Sequence, residues 1–420
     1  MGVLRYKDEV RGRIVSRSLE WQQGWRAVVA SSVGYGTGVT VFSMTAGLFV
    51  KPMQSALGWS VTEVMILPII TLISATTMFL AGLVVARWGS RRAGLVGHTL
   101  LALGMLALAI APPDRAAIYT GAVFIGLIAP LTTTPPFARC ISTWFDRSAG
   151  LALGITMNGG AFVALFSVPI TSAAIGWYGW RGGFVALSMI IAGLGLPMMV
   201  AWLRERTEPL QTQTGSADGY GWSLKQAIGS PLFWLLLASI GLGGIPLGGF
   251  LTHIQPMLAE SGVERTVATG LGVALAVSIS FGRIGGGFLL DRFFDGGVAF
   301  GLLLLSSLGA LILMMLGPSM PLWMISGAVL LVGLGQGAEA DFLAYFALKI
   351  FGTRSYPKIV SLLAAGAVLG FAMGGLIFAK LRDWLGDYRE ASLFGAACFI
   401  AAGTIILITR LADLRRRKAS

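Results

Sequence analysis

Charge is what this chain lacks most. Of its 420 residues only 12% are Asp, Glu, Lys or Arg, where a soluble domain carries roughly a quarter. So little charge excludes a soluble globular fold. Cysteine is almost absent. Cys140 and Cys398 both fall within or beside apolar helices, which excludes a disulfide framework. Metal-ligand clusters, nucleophile motifs and nucleotide-binding loops are also missing, so no metal, no cofactor and no enzymatic chemistry are expected, nor primary coupling to ATP. The glycine-rich string GRIGGG (282–287) lies inside an apolar run rather than after a soluble strand, so it is not a dinucleotide fingerprint. The net charge of +12 would suggest nucleic acid in a soluble protein. Here the basic residues sit at the ends of apolar runs, and that partner is excluded. Residues 1–24 are basic and polar, without the apolar core of a signal peptide, and are expected to be retained.

What the chain does have is apolar sequence. Hydrophobic residues make up 55% of it and mean hydropathy is +0.78. They come in runs of about 20 residues, the length a helix needs to cross some 30 Å of hydrocarbon. The runs predict an all-α membrane protein with twelve transmembrane helices in two six-helix bundles. The spans lie near 25–50, 62–86, 94–112, 117–137, 149–175, 183–203, 231–256, 267–290, 298–316, 322–347, 359–381 and 391–411. Most of the 31 basic residues collect on one set of alternate loops, which predicts both termini inside. A polar segment, 204–230, divides the chain into bundles at 25–203 and 231–411, with a cytoplasmic tail at 1–24 and a basic one at 412–420. Strings on the two sides of that linker correspond at nearly one spacing. GLVVARWGSRR (82–92) matches GFLLDRFFDGG (287–297), and WFDRS (144–148) matches FGTRS (351–355). Parallel half-repeats are a transporter architecture.

The strings at 82–92 and 287–297 resemble the loop motif of the major facilitator superfamily. Within it the chain resembles the bacterial monocarboxylate porter group, related to the oxalate–formate exchangers. LFVKPMQSALGWSVTEV (48–64), WFDRSAGLALGITMNGG (144–160), YGWRGGF (178–184), FGRIGGGFLLDR (281–292) and GAEADFLAY (337–345) carry that likeness. It implies the major facilitator fold, N-in and C-in, a bacterial cytoplasmic (inner) membrane location and a monomeric working unit. It also implies a cytoplasmic gate at Asp291, Arg292, Arg87, Arg91, Arg147 and Arg354, although Ala86 replaces the motif's acid in the first half. The Gly-Pro motif of antiporters is absent from span five, where 154–160 reads GITMNGG.

Arg283 is the sharpest single feature. It lies eight residues before Asp291, about 12 Å into the membrane at 1.5 Å per residue. A cation at that depth must face protein or an aqueous cavity, and its planar fork suits a carboxylate. The resemblance implies the same substrate role; a structural ion pair is the alternative. Glu339 and Asp341 are the other deep charges. They point about 200° apart on one helix, which places Asp341 and its i+4 neighbour Tyr345 toward the cavity and Glu339 toward a helix contact. Asp341 is a candidate proton carrier or a permanent partner of Arg283. His253 could admit protons or simply be hydrogen-bonded, whereas His98 is expected to be structural. The glycine strings 34–38 and 241–249, and Pro130, Pro135 and Pro136 with Thr132–Thr134, predict irregular helices beside the pathway. Tyr35, Asn158 and Thr133 are further ligand candidates. The resulting expectation is proton-coupled symport of small carboxylates such as lactate or pyruvate. An organic anion exchanger, an efflux pump and a non-transporting sensor are the alternatives.

Overall fold

In hydrocarbon no water is available to the peptide groups, so each apolar run closes its own hydrogen bonds as a helix. The computed structural model describes residues 17–64, 66–206, 220–317 and 320–419. The tail at 1–16 and the centre of the linker, 207–219, lie outside the described residues. The long helices are α1 (Arg17–Thr37), α2 (Val39–Leu57), α3 (Leu67–Ile110), α4 (Arg115–Ile128), α5 (Thr134–Trp144), α6 (Ala149–Met157) and α7 (Gly159–Ile190). They continue as α8 (Leu196–Trp202), α9 (Pro231–Glu260), α10 (Arg265–Arg292), α11 (Asp295–Met314), α12 (Leu322–Phe351), α13 (Tyr356–Leu385) and α14 (Arg389–Ala419).

Among the described residues, ten helical segments are long and apolar enough to cross a membrane. Three of these are much longer than one crossing: Arg17–Leu57 has 41 residues and is interrupted at Gly38, and the two others are Ile69–Ile110 with 42 and Ala149–Trp202 with 54, roughly 60 and 80 Å of helix against about 30 Å of hydrocarbon. The last two are broken by a glycine in the left-handed region, Gly89 at φ 80° and Gly179 at φ 66°, a conformation that side chains with a Cβ disfavour. Beyond Gly179 the chain packs back on itself, with Gly183 against Ile175.

Helix ends follow ordinary capping chemistry. Asp114 accepts the amide of Ala117 at the start of α4, and Ser230 accepts that of Leu232 before the proline that opens α9. The first and last helices differ from the sequence expectation. α1 is already helical at Arg17, the first described residue, and α14 runs through the basic tail to Ala419. The tail stays helical because the buried carboxylate of Asp413 pairs with Arg410, Arg416 and Arg417, one turn to either side.

α1 to α8 pack mainly on one another, with α7 on α1, α2 and α3; α9 to α14 form a second group, with α9 on α13 and α14 and α10 on α12. Small residues let backbones touch. Gly282 lies on the Leu334 carbonyl and Gly337 on the backbone of Ile279 and Arg283, so α10 and α12 are in close contact at the level of Arg283. Between the two groups, α6 packs on α10 and α12, while α3 and α5 pack on α13. Gly150 abuts Gly287, and Gly154 abuts the Arg283 carbonyl.

Candidate functional site

Three helices of the first group are interrupted where they approach one another. α1 gives way to α2 at Gly38, whose backbone is extended (φ −66°, ψ −157°). α4 passes through a 3₁₀ turn at Ala129–Thr132 and an extended Thr133 before α5. α6 ends at Met157, and Asn158 links it to α7. The breaks touch. Gly38 lies against the Thr132 carbonyl, Gly36 against that of Gly159, and Thr132 Oγ1 accepts the amide of Val39 at 3.1 Å. A broken helix releases carbonyls from its last turn, and the amide of Ala161 bonds to Asn158 rather than to Met157. Arg283 of α10 takes the freed group: its Nη1 donates to the Met157 carbonyl at 2.5 Å. A guanidinium at a helix C-terminus also meets the negative end of that helix.

One donor of this cation stays unpaired among the described residues. Arg283 Nε is buried without a hydrogen-bond partner. Among the described residues no carboxylate lies within 4.0 Å of the guanidinium; the Tyr35 side chain lies in hydrogen-bonding range, and Asp341 and Glu339 are electrostatic neighbours. Asp341 is 3% exposed, and neither carboxylate oxygen has a hydrogen-bond partner. Buried polar groups are almost always paired, so this acid and this cation together keep hydrogen-bonding capacity that no protein group among the described residues uses. Gln336, fully buried one turn before Glu339 and Ala340, has neither its amide nitrogen nor its oxygen paired. Glu339 turns the other way, against Gly243 of α9.

The remaining predicted residues are dispersed. Tyr345 donates its hydroxyl to the Leu290 carbonyl at 3.0 Å and lines a pocket at the end of the bundle that carries the linker. Thr133 donates to the Pro130 carbonyl at 3.1 Å. Asn158 is buried at the α6–α7 break. His253 has both ring nitrogens occupied, Nδ1 by the Tyr388 hydroxyl at 3.1 Å and Nε2 by the Gly375 carbonyl at 2.9 Å. His98 is likewise held by two carbonyls, those of Gly94 and Gly34.

The seam on the linker side is closed. Asp291 accepts the amides of Gly150 and Leu151 at 2.8 Å each, so an acid of the second group caps α6 of the first. Arg17 donates to the Asp291 carbonyl. Lys349 pairs with Asp146 at 3.0 Å across the seam. Glu20, 1% exposed, accepts the amides of Asp146, Arg147 and Ser148 and so shapes the turn entering α6. The first motif copy, with Ala86 where an acid would stand, is served by Glu205. That carboxylate accepts the Ser90 amide at 2.6 Å and pairs with Arg139 at 3.0 Å. Of the other expected gate cations, Arg91 donates to the Val200 carbonyl, Arg292 lies over the Phe288 ring, and Arg87, Arg147 and Arg354 are exposed.

Glu20, Lys349 with Asp146, Glu205 and Gln336 were missed by motif reasoning. A buried acid near a helix start is the only sequence signal that Glu20 offers. Replacing Asp291 with asparagine keeps its shape and removes the charge that caps α6. The closed seam should lose about 1–2 kcal/mol. Labelling of a cysteine at Leu151 by a water-soluble maleimide should then speed up about ten-fold; an unchanged rate would mean that this cap does not hold the seam.

A bundle of long apolar helices with the buried Arg283 held between two helical groups defines a class, the multi-pass membrane carriers. The chain belongs to the Major Facilitator Superfamily, whose family model matches residues 31–375. It is a transporter of that superfamily, not an enzyme. It is 25% identical over 399 residues to the uncharacterized MFS-type transporter YcxA of Bacillus subtilis (strain 168), covering 92% of this chain and 94% of that one. To monocarboxylate transporter 13 of Bos taurus it is 27% identical over 332 residues, covering 77% of this chain and 74% of that one. Among solved structures, the superfamily transporter FucP in the outward conformation aligns with a TM-score of 0.70 at 15% identity, covering 92% of this chain and 98% of that one.

Proposed function

We propose that the chain is a secondary carrier of small organic anions, a proton-coupled symporter of monocarboxylates such as lactate or pyruvate. The observation that carries this reading is the pairing state of the centre. Arg283 keeps a buried nitrogen unpaired beside an Asp341 carboxylate with two unpaired oxygens. A monocarboxylate offers two acceptor oxygens in the geometry a guanidinium binds best. When the substrate neutralises Arg283, Asp341 loses its electrostatic partner, and in a medium of low dielectric it takes a proton rather than remain charged alone. The loaded centre then carries no net charge beyond that of Glu339, which faces Gly243 rather than the broken helices.

Twelve spans follow when Ile69–Ile110 and Ala149–Trp202 are each divided at their positive-φ glycine, six in each helical group. With both termini inside, the linker side is cytoplasmic. Its closed seam and the likeness in fold to FucP in the outward conformation support an outward-facing state. Alternating access then rocks the groups about Arg283: Asp291 leaves α6, and the Lys349–Asp146 pair breaks. The monocarboxylate transporters among the relatives support the substrate class. The working unit is a monomer in a bacterial inner membrane. His253, with both nitrogens engaged, takes no proton-transfer step in this scheme.

Purified protein in lipid vesicles tests the reading with a panel of labelled carboxylates, with and without an inward proton gradient. The gradient should drive saturable lactate or pyruvate uptake above equilibrium. Saturable uptake indifferent to the gradient would replace symport with exchange, and no carboxylate flux under any condition would remove the anion reading.

A further inference from the structure

The linker-side seam holds a second, separate site. Arg17 of α1, Arg147 of the turn before α6, Asp291 of α10, and Tyr345 and Lys349 of α12 line a pocket of about 440 Å³ that opens to solvent. Its floor is already satisfied. Asp291 spends both carboxylate oxygens on the amides of Gly150 and Leu151, and Tyr345 spends its hydroxyl on Leu290. Lys349 donates to the carbonyl and the carboxylate of Asp146. Positive charge remains in excess: with Lys349 already neutralised by Asp146, Arg17 and Arg147 stand against the one lining carboxylate, that of Asp291. The side chain of Arg147 has neither a hydrogen bond nor an ion pair among the described residues, while Arg17 spends one nitrogen on the Asp291 carbonyl. Arg17 and Arg147 belong to the first helical group and Lys349 to the second, so the pocket bridges the two groups across the shut seam.

We infer that this pocket binds a multivalent oxyanion, phosphate or a phosphate ester, between Arg147, Arg17 and Lys349, and that its occupancy holds the linker-side gate closed. Multivalent oxyanions match the site because they present several acceptors to donors arriving from different directions. A monocarboxylate has too little charge to span the two groups. The gating consequence follows from linkage: a ligand whose donors assemble only in one state shifts the population toward that state by its differential affinity. Under alternating access, on which this consequence rests, phosphate on the linker side slows return to the open state without competing at Arg283. The binding claim itself does not depend on what is transported.

The test uses the full chain in nanodiscs, with inorganic phosphate as the probe. Nitroxide labels at Arg92→Cys and Arg354→Cys, one on each helical group, report the width of the seam by inter-spin distance. The native cysteines Cys140 and Cys398 are buried, which confines labelling to the introduced pair. In neutral phosphatidylcholine discs, phosphate should raise the melting temperature saturably and narrow the distance distribution to its short component. Arg147→Gln should weaken the phosphate midpoint roughly ten-fold or more, as expected when a charge-assisted partner is lost, and Arg147→Lys should recover most of it. A second arm replaces phosphate with phosphatidylglycerol in the disc. The short component appearing there assigns the ester to lipid, and its appearance only with soluble phosphate assigns it to a free anion. Phosphate binding equally well to parent and Arg147→Gln, or no effect in either arm, overturns the site. Binding with an unchanged or wider seam overturns the gate. Neither result would alter carboxylate uptake in vesicles, so a failure here is distinct from a failure of the transport reading.

Discussion

Arg283→Ala protein that inserts and folds normally is expected to lose carboxylate transport by about 10²–10³-fold in kcat/KM, the equivalent of roughly 3–4 kcal/mol for removing one member of a desolvated charge pair. The size of the effect comes from where the group sits. Its Nη1 is anchored on the carbonyl that the α6–α7 break releases, and its Nε stays unpaired. On the proposed reading, a substrate carboxylate meets a cation held in place before binding. Arg283→Lys separates charge from shape. It retains a positive centre but loses the planar fork, so uptake should remain below the parent by an order of magnitude or more, with the loss concentrated in KM. Near-parental uptake by the lysine protein would show that charge alone suffices. Initial rates over a substrate series in vesicles, normalised to inserted protein, measure both.

Asp341→Asn is expected to separate the proton from the substrate. The amide resembles a protonated carboxyl in shape but does not titrate. Uphill uptake driven by a pH gradient should fall at least ten-fold, while counterflow exchange of labelled for unlabelled lactate, which needs no net proton movement, should continue within a few-fold of the parent. The exposure of this carboxylate is 3%, and neither of its oxygens is paired. Substitution consequently breaks no hydrogen bond, and its cost to folding is confined to the electrostatic compensation of Arg283 that it removes. A permanent salt bridge between Asp341 and Arg283 predicts the opposite pattern: the asparagine protein would leave an uncompensated cation and lose exchange together with uptake. Gradient-driven and counterflow assays on one protein preparation distinguish the two.

Much of this architecture could be read from composition and periodicity, because the membrane imposes a single strong rule. A 20-residue apolar run has few alternatives to a helix, and a polar linker between two sets of such runs marks a division. The kinks at Gly89 and Gly179 fell in the polar breaks between predicted spans. Irregularity in spans one and four was legible from the glycines at 34–38 and from Pro130 with Thr132–Thr134, and the structure breaks both there. Arg283 stood out because a lone deep cation is costly. What it would bind inside the protein could not be read. Its partner is a main-chain carbonyl, exposed by a helix break at Asn158, and main-chain groups carry no residue code. The seam was partly legible for a related reason. Asp291 belongs to a recognisable motif, but it caps a helix from the other half of the chain. Glu20 and Glu205 act through amides of segments about 126 and 115 positions away. Such contacts depend on how bundles dock, not on local spacing. The end of α14 ran past the expected limit because Asp413 gathers three arginines around it, a local charge pattern that hydropathy does not register.

Whether the Arg283 guanidinium holds the carboxylate of the transported anion is open to a direct measurement. Equilibrium binding of radiolabelled lactate and pyruvate to purified protein tests it without the complications of flux, with parent and Arg283→Ala compared at one pH and shown to melt at similar temperatures. Saturable binding to the parent, displaced by other small monocarboxylates but not by their amides, and no measurable binding to the alanine protein are expected. Equal affinity in the two proteins would contradict that role, leaving Arg283 as a strut between helices and placing the anion elsewhere.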